Sequence, residues 1–260
     1  MDMLHELDKA VGSLVSAIED RNLADNTIII FTSDNGGIGT VHGSFAYGHK
    51  PSGPLRGAKG QIYEGGHRVP MMVRYDNHFP VNERRDHLVG LNDIYATLCE
   101  LAGLTVPYGS AYDSISFADY LYSKDATANL RDSLGIWKQH VAGAVRFREM
   151  KYIEIYGKMA TNTTTVARLY NLTSDISEKV DLLTSGNTYY DDIKKMMKRK
   201  LDELSRNGPD AGNKFSISTG SGFQDEALKD CEFFKKDQKR CNIYWEGLSH
   251  CRMTCHPDHI

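Results

Sequence analysis

No apolar run in this 260-residue, 29.2 kDa chain approaches the roughly 20 residues that a membrane-spanning helix needs, so no helical span is expected. Charge of one sign is lacking too. With 31 basic against 34 acidic side chains the formal net charge is −3, without the excess that marks a nucleic-acid binder. Cysteine is scarce in the body of the chain: of five, four (Cys231, Cys241, Cys251 and Cys255) crowd into the last thirty residues and Cys99 stands alone. What remains is ordinary in composition. At 40% hydrophobic residues the length suits one large α/β domain, or a medium one with an appendage, and buries a core readily.

The opening "MDMLHELDKAVG" lacks the apolar centre of a signal peptide and by itself would start the protein in the cytosol. Two features point elsewhere. The clustered tail cysteines suggest disulfides, and the sequons "NTT" at Asn162 and "NLT" at Asn171 suit a glycosylated chain of the secretory pathway, lysosomal or extracellular. A leader, and more, is then expected upstream of Met1. The tail spacing Cys-x9-Cys-x9-Cys-x3-Cys fits no standard zinc pattern, which favours a disulfide-stapled cap over a zinc site drawing on His250, His256 or His259.

Along the chain, Leu4, Leu7, Val11, Leu14, Val15 and Ile18 repeat at helical spacing and predict an amphipathic helix over 2–21, packed on a sheet. Ile28 to Phe31 form a short β-branched run, the pattern of a strand buried on both faces. Together they read as the second half of a β-α-β unit. Residues 36–66 are rich in glycine, without a sustained period, and read as a long loop. "RVPMMVRY" (68–75) is a strand, 92–103 a helix capped by Asn92 and stopped by Gly103, and 115–123 a short helix. The predicted apolar face of the 92–103 helix is Ile94, Leu98, Leu101 and Ala102, with Cys99 a small buried residue. Further on, 142–156 and 167–173 suit two antiparallel strands, and 188–207 an amphipathic helix with Ile193, Met197, Leu201 and Leu204 in register.

The chemistry concentrates at "NTIIIFTSDNGG" (26–37). In open α/β sheets, ligands bind beyond the carboxyl ends of strands, where Asp34 and Asn35 fall. A carboxylate beside an amide carbonyl offers two hard oxygens to Ca²⁺ or Mg²⁺, and Gly36 and Gly37 let the backbone turn away. The same tripeptide is also ordinary turn chemistry. The second stretch, "GPLRGAKGQIYEGGHRVP" (53–70), sets Arg56, Lys59 and Arg68 on a glycine-rich scaffold suited to an anionic substrate. Glu64 and Arg68 read as a structural pair.

These two stretches, continued by "LVGLNDIYATLCELAG" and "LYNLTSDISEKVDLL", closely resemble the sulfatase family of the alkaline-phosphatase-like superfamily, especially N-acetylgalactosamine-4-sulfatase-type arylsulfatases, over about residues 3–205. The resemblance implies that Asp34 and Asn35 are calcium ligands, that Asp34 also approaches the sulfate, and that Lys59 contacts the substrate sulfate. It implies an α/β fold: part of a large mixed sheet flanked by helices, then a small antiparallel sheet with a packed helix. The organisation expected is a catalytic α/β portion over 1–135, a small α+β subdomain over 136–207, and a Gly/Ser-rich linker with a cysteine-rich tail over 208–260.

The family attacks with a formylglycine made within a C/S-x-P-x-R motif, and no such motif occurs in these 260 residues. Cys99, in "TLCELAG", lacks the proline and arginine. The expectation is a sulfate-ester hydrolase by family, inactive as this chain alone. The rivals are a phosphodiester or phosphonate hydrolase of the same superfamily and a non-catalytic secreted protein that holds sulfated glycans.

Overall fold

The computed structural model describes residues 2–39, 48–126, 130–138, 141–156 and 165–207. The chain divides into two units, 1–211 and 212–260. The second, with all four tail cysteines, lies outside the described residues, as does Asn162.

The first unit opens with helix α1 (Asp2–Glu19) and a short 3-10 turn, then strand β1 (Ile29–Thr32). The long loop that follows contains a single helical turn, α2 (Glu64–His67), before strand β2 (Met71–Arg74), which pairs antiparallel with β1 in the register Ile29↔Arg74 to Thr32↔Met71. Arg74 joins this pair to α1 through Glu19 at 2.7 Å. The predicted packing of α1 on a sheet is met in part: Val11, Val15 and Ile18 are half-buried, whereas Leu4, Leu7 and Leu14 are exposed.

Helices α3 (Asp93–Leu101) and α4 (Ala118–Tyr122) follow. Asn92 does not cap α3 as predicted. Its backbone is helical and its amide donates instead to the Asp113 carbonyl, while the buried Asp93 binds flanking segments, accepting from the Gly90 and Ile115 amides and pairing with Arg131 at 2.6 Å. Nor is the apolar face the buried one. Asp93, Ala96 and Thr97 are buried and Leu98 is exposed, because the inner side is held by polar bonds to the 113–117 segment: Ser114 accepts from Ala96, and Thr97 from Phe117. Cys99 is half-buried with a free thiol. Gly103 ends the helix at φ +67, a conformation glycine adopts without strain.

The second sheet has the order β3 (Ser133–Lys138), β4 (Ala142–Phe147), β5 (Met150–Tyr156), β6 (Thr165–Asn171), antiparallel throughout. Two strands were expected here and four are present. The 142–156 stretch folds back at Arg148–Glu149 with Arg148 at φ +52, a turn without the glycine or asparagine that usually announces one. The period-2 alternation of the strands sends residues to two faces. Val145, Met150, Tyr152 and Leu169 meet Met197 and Leu201 of helix α5 (Thr188–Asn207), in the predicted register. Ala144, Ile153 and Tyr170 turn the other way and pack on Ile62, at the end of the long loop. That second face ties the small sheet to the loop carrying the candidate site.

Candidate anion and metal site at the strand tip

β1 ends at Thr32, and the chain turns at Asp34–Gly37. The turn is held locally: the Ser33 hydroxyl donates to the Asn35 carbonyl at 3.0 Å, and the Asn35 side-chain amide donates to the Gly36 carbonyl at 2.9 Å. The Asn35 side-chain oxygen is left to accept or coordinate. Asp34 is exposed and has no hydrogen-bond or ion-pair partner within the described residues.

The loop locks onto this turn through its backbone. Gly36 donates to the Gly66 carbonyl at 3.0 Å, Lys59 donates its amide to the Gly37 carbonyl at 2.9 Å, and Gly65 donates to the Arg56 carbonyl at 2.7 Å. These approaches require the glycines. A Cβ at Gly36 would stand 1.8 Å from the Gly65 oxygen, and one at Gly66 would stand 2.1 Å from the Gln61 oxygen. The two motifs, about twenty residues apart in sequence, thus form one interlocked backbone unit with Asp34, Asn35 and the exposed Lys59 on it.

Beneath that unit lies a buried charge cluster. Glu64, fully buried at the start of α2, meets the equally buried Lys151 of β5 at 3.0 Å, and Lys151 reaches Glu178 at 3.0 Å. The Glu178 carboxylate also accepts from the Glu64 backbone amide at 2.7 Å. Its other oxygen, the one beside Lys151, is close as an ion pair but lacks hydrogen-bond alignment. The predicted Glu64–Arg68 pair is present at 3.4 Å and is the more exposed, weaker arm, with Arg146 at 3.8 Å beyond it. His67 Nε2 sits 3.1 Å from the Lys151 ammonium and 3.6 Å from Glu64.

Burial, reinforced by the Lys151 charge, pushes His67 down to about 4, so at neutral pH its ring is uncharged and Nε2 accepts from Lys151. Burial alone would raise Glu64, but Lys151 and its other cationic neighbours outweigh it and hold the carboxyl below its usual range. Burial raises Glu178. Lys151, Arg146 and Glu178 were not singled out in the sequence. The available signal was a lysine inside an otherwise apolar and aromatic strand, at the position of "EMKYIEIY" that faces inward.

Asp34 and Asn35 fit a hard cation as two of the six to eight oxygens it takes. No cluster of three or more His, Cys, Asp or Glu residues occurs among the described residues to complete the shell. Asn171 ends β6, half-buried, with its side-chain oxygen accepting from the Thr173 and Ser174 amides. No helix among the described residues is long and apolar enough to cross a membrane.

Residues 1–104 match the sulfatase family model. An N-acetylgalactosamine-6-O-sulfatase of Bacteroides thetaiotaomicron is 33% identical over 194 residues, covering 68% of this chain and 37% of that protein. The human N-acetylgalactosamine-6-sulfatase is 31% identical over 115 residues, covering 44% of this chain and 22% of that protein. Among solved structures, a Bacteroides thetaiotaomicron protein studied within the metabolism of multiple glycosaminoglycans superposes with a TM-score of 0.65 at 28% identity, covering 76% of this chain and 42% of that one. Another, solved in complex with a neocarrahexaose, gives 0.61 at 29% identity, covering 79% and 42%. The chain therefore spans less than half the length of these relatives. By its matched segment, its relatives and its shared alkaline-phosphatase-like fold, the chain belongs to the sulfatase family.

Proposed function

We propose that this chain forms the metal- and sulfate-binding side of an arylsulfatase-type sulfuric ester hydrolase of the secretory pathway, acting on sulfated glycans. The observation that carries the reading is the backbone interlock: the Lys59 amide on the Gly37 carbonyl joins the residue bearing a cation to the turn that bears Asp34 and Asn35. Asp34 and Asn35 would hold Ca²⁺, which when bound offsets negative charge at the sulfate. Lys59 binds and orients the ester by charge-assisted contact, and the glycine backbone leaves room for it. The relatives named as N-acetylgalactosamine sulfatases and the neighbour that holds a neocarrahexaose favour a glycan ester.

The test uses a longer version carrying a C/S-x-P-x-R motif. Losing a charge-assisted contact to a partly desolvated anion costs about 1.5–3 kcal/mol, so Lys59→Ala should lower kcat/KM by roughly ten- to a hundredfold. Lys124→Ala, on an exposed loop, should leave it unchanged. Equal kinetics for the two variants would show that the sulfate binds elsewhere.

A further inference from the structure

We infer that Lys151 is a positioning residue for the anion site: from the small sheet, it fixes the backbone loop on which Lys59 stands. The inference rests on the reading of Lys59 as an anion contact. The geometry begins with Lys151 itself, on β5 at 0% exposure, paired across the sheet with Arg146 and Tyr170. All three belong to the face turned toward the loop. The ammonium has three N–H groups and three neighbours at 3.0–3.1 Å: Glu64 from α2, Glu178 from the segment after β6, and His67 from α2.

Each neighbour leads to the strand tip by a short covalent and hydrogen-bonded path. Glu64 precedes Gly65 and Gly66, whose carbonyls crowd Gly36. Glu178 accepts from the Glu64 amide, while its own carbonyl accepts from Arg56 at 2.7 Å, and Arg56 lies three residues before Lys59 with its guanidinium over the Tyr63 ring at 3.9 Å. Glu178 holds this arrangement at φ +51, the left-handed region that non-glycine residues seldom occupy. A single buried cation therefore closes the ring of contacts around residues 56–67. A surface ammonium could not do this, because solvent would screen it and leave the carboxylates free to move.

Amide hydrogen exchange on the 260-residue chain tests the hold directly, comparing the wild type with Lys151→Met and with Glu178→Gln. The glutamine keeps a carbonyl for the Glu64 amide and removes one charge. Expected is a loss of protection of at least about tenfold at the Gly36, Lys59, Gly65 and Gly66 amides in Lys151→Met, and a smaller loss at the same amides in Glu178→Gln. Protection at Val145, Leu169 and Met197 should persist in both. Unchanged loop amides would overturn the proposal. So would an equal loss across β4–β6 and α5 in both variants, which is what a merely structural lysine would give. The Lys59 side-chain nitrogen resonance, titrated with inorganic sulfate, supplies the second arm: Lys151→Met should need about tenfold more sulfate for the same shift. A wild-type Lys59 signal that ignores sulfate would overturn the anion reading instead, a result separable from the amide exchange.

Discussion

A methyl group on Gly36 would stand 1.8 Å from the Gly65 carbonyl oxygen, and that oxygen is backbone, so no rotamer relieves the clash. Gly36→Ala should separate the strand tip from the loop and destabilise the chain by about 3 kcal/mol or more, beyond ordinary overpacking. Gly12 is the control. It lies inside α1, where an added methyl group would meet nothing within 4 Å, so Gly12→Ala should stabilise by about 0.5–1 kcal/mol through helix propensity. Urea midpoints of the two variants check both signs. The same residues show what a sequence displays at this scale. The turn itself was legible, because Asp34, Asn35 and two glycines after a β-branched run are ordinary turn chemistry, whereas their reading as metal ligands came from the family resemblance. Asn92 was misleading: a cap bond depends on where the side chain turns, and here its amide donates to the Asp113 carbonyl of a distant segment, so no side chain caps the helix.

Helix α2 is one turn of four residues, too short to persist alone, and it stays because Glu64 and His67 are anchored on Lys151. Its docking should depend on pH. His67 titrates near 6.5 unfolded and at about 4 folded, so the unfolded chain binds the proton first. The contribution of neutral His67 is whole above pH 6.5 and is lost as pH falls from 6.5 toward 4, by about 3 kcal/mol in total. Glu64, held low, adds loss below pH 4.5, whereas Glu178, held high, works in the opposite direction. Stability measured by urea denaturation from pH 7.5 to 4 should decline, and His67→Gln, which can still accept from Lys151, should flatten the fall between pH 6.5 and 5. An unchanged slope would place the titrating group elsewhere. Elements differ in how much of this shows in sequence. The α5 register was readable from its 3.6-residue period alone, and Met197 and Leu201 are at its buried face. The β4–β5 hairpin was not, because its turn uses Arg148 and Glu149, and the cluster around Lys151 was not, because its members come from residues 64 to 178 and meet only once the sheet has formed.

At the scale of the molecule, the unit over 1–211 contains a well-packed small sheet beside a less enclosed first part, where Leu4, Leu7 and Leu14 of α1 are 63%, 46% and 58% exposed. The chain also spans 42% of a structural relative that shares its fold. Two consequences for chemistry follow from the residues present. In the proposed site Asp34 and Asn35 bring one formal charge and at most three oxygens, a minority of a calcium shell, so the dehydration of the ion is poorly offset. Lys59, the proposed sulfate contact, carries no hydrated aldehyde to attack the ester, and Cys99, half-buried in α3, lacks the motif from which one is made. The 260-residue chain should accordingly bind calcium weakly, at millimolar levels or above, and should not turn over a chromogenic aryl sulfate. Calorimetric titration and a colorimetric assay on the purified chain check the two separately. Submicromolar calcium binding lost in Asp34→Ala would mean that the remaining ligands come from within this sequence. Turnover lost in the same variant would go further, since it would require a nucleophile among these residues.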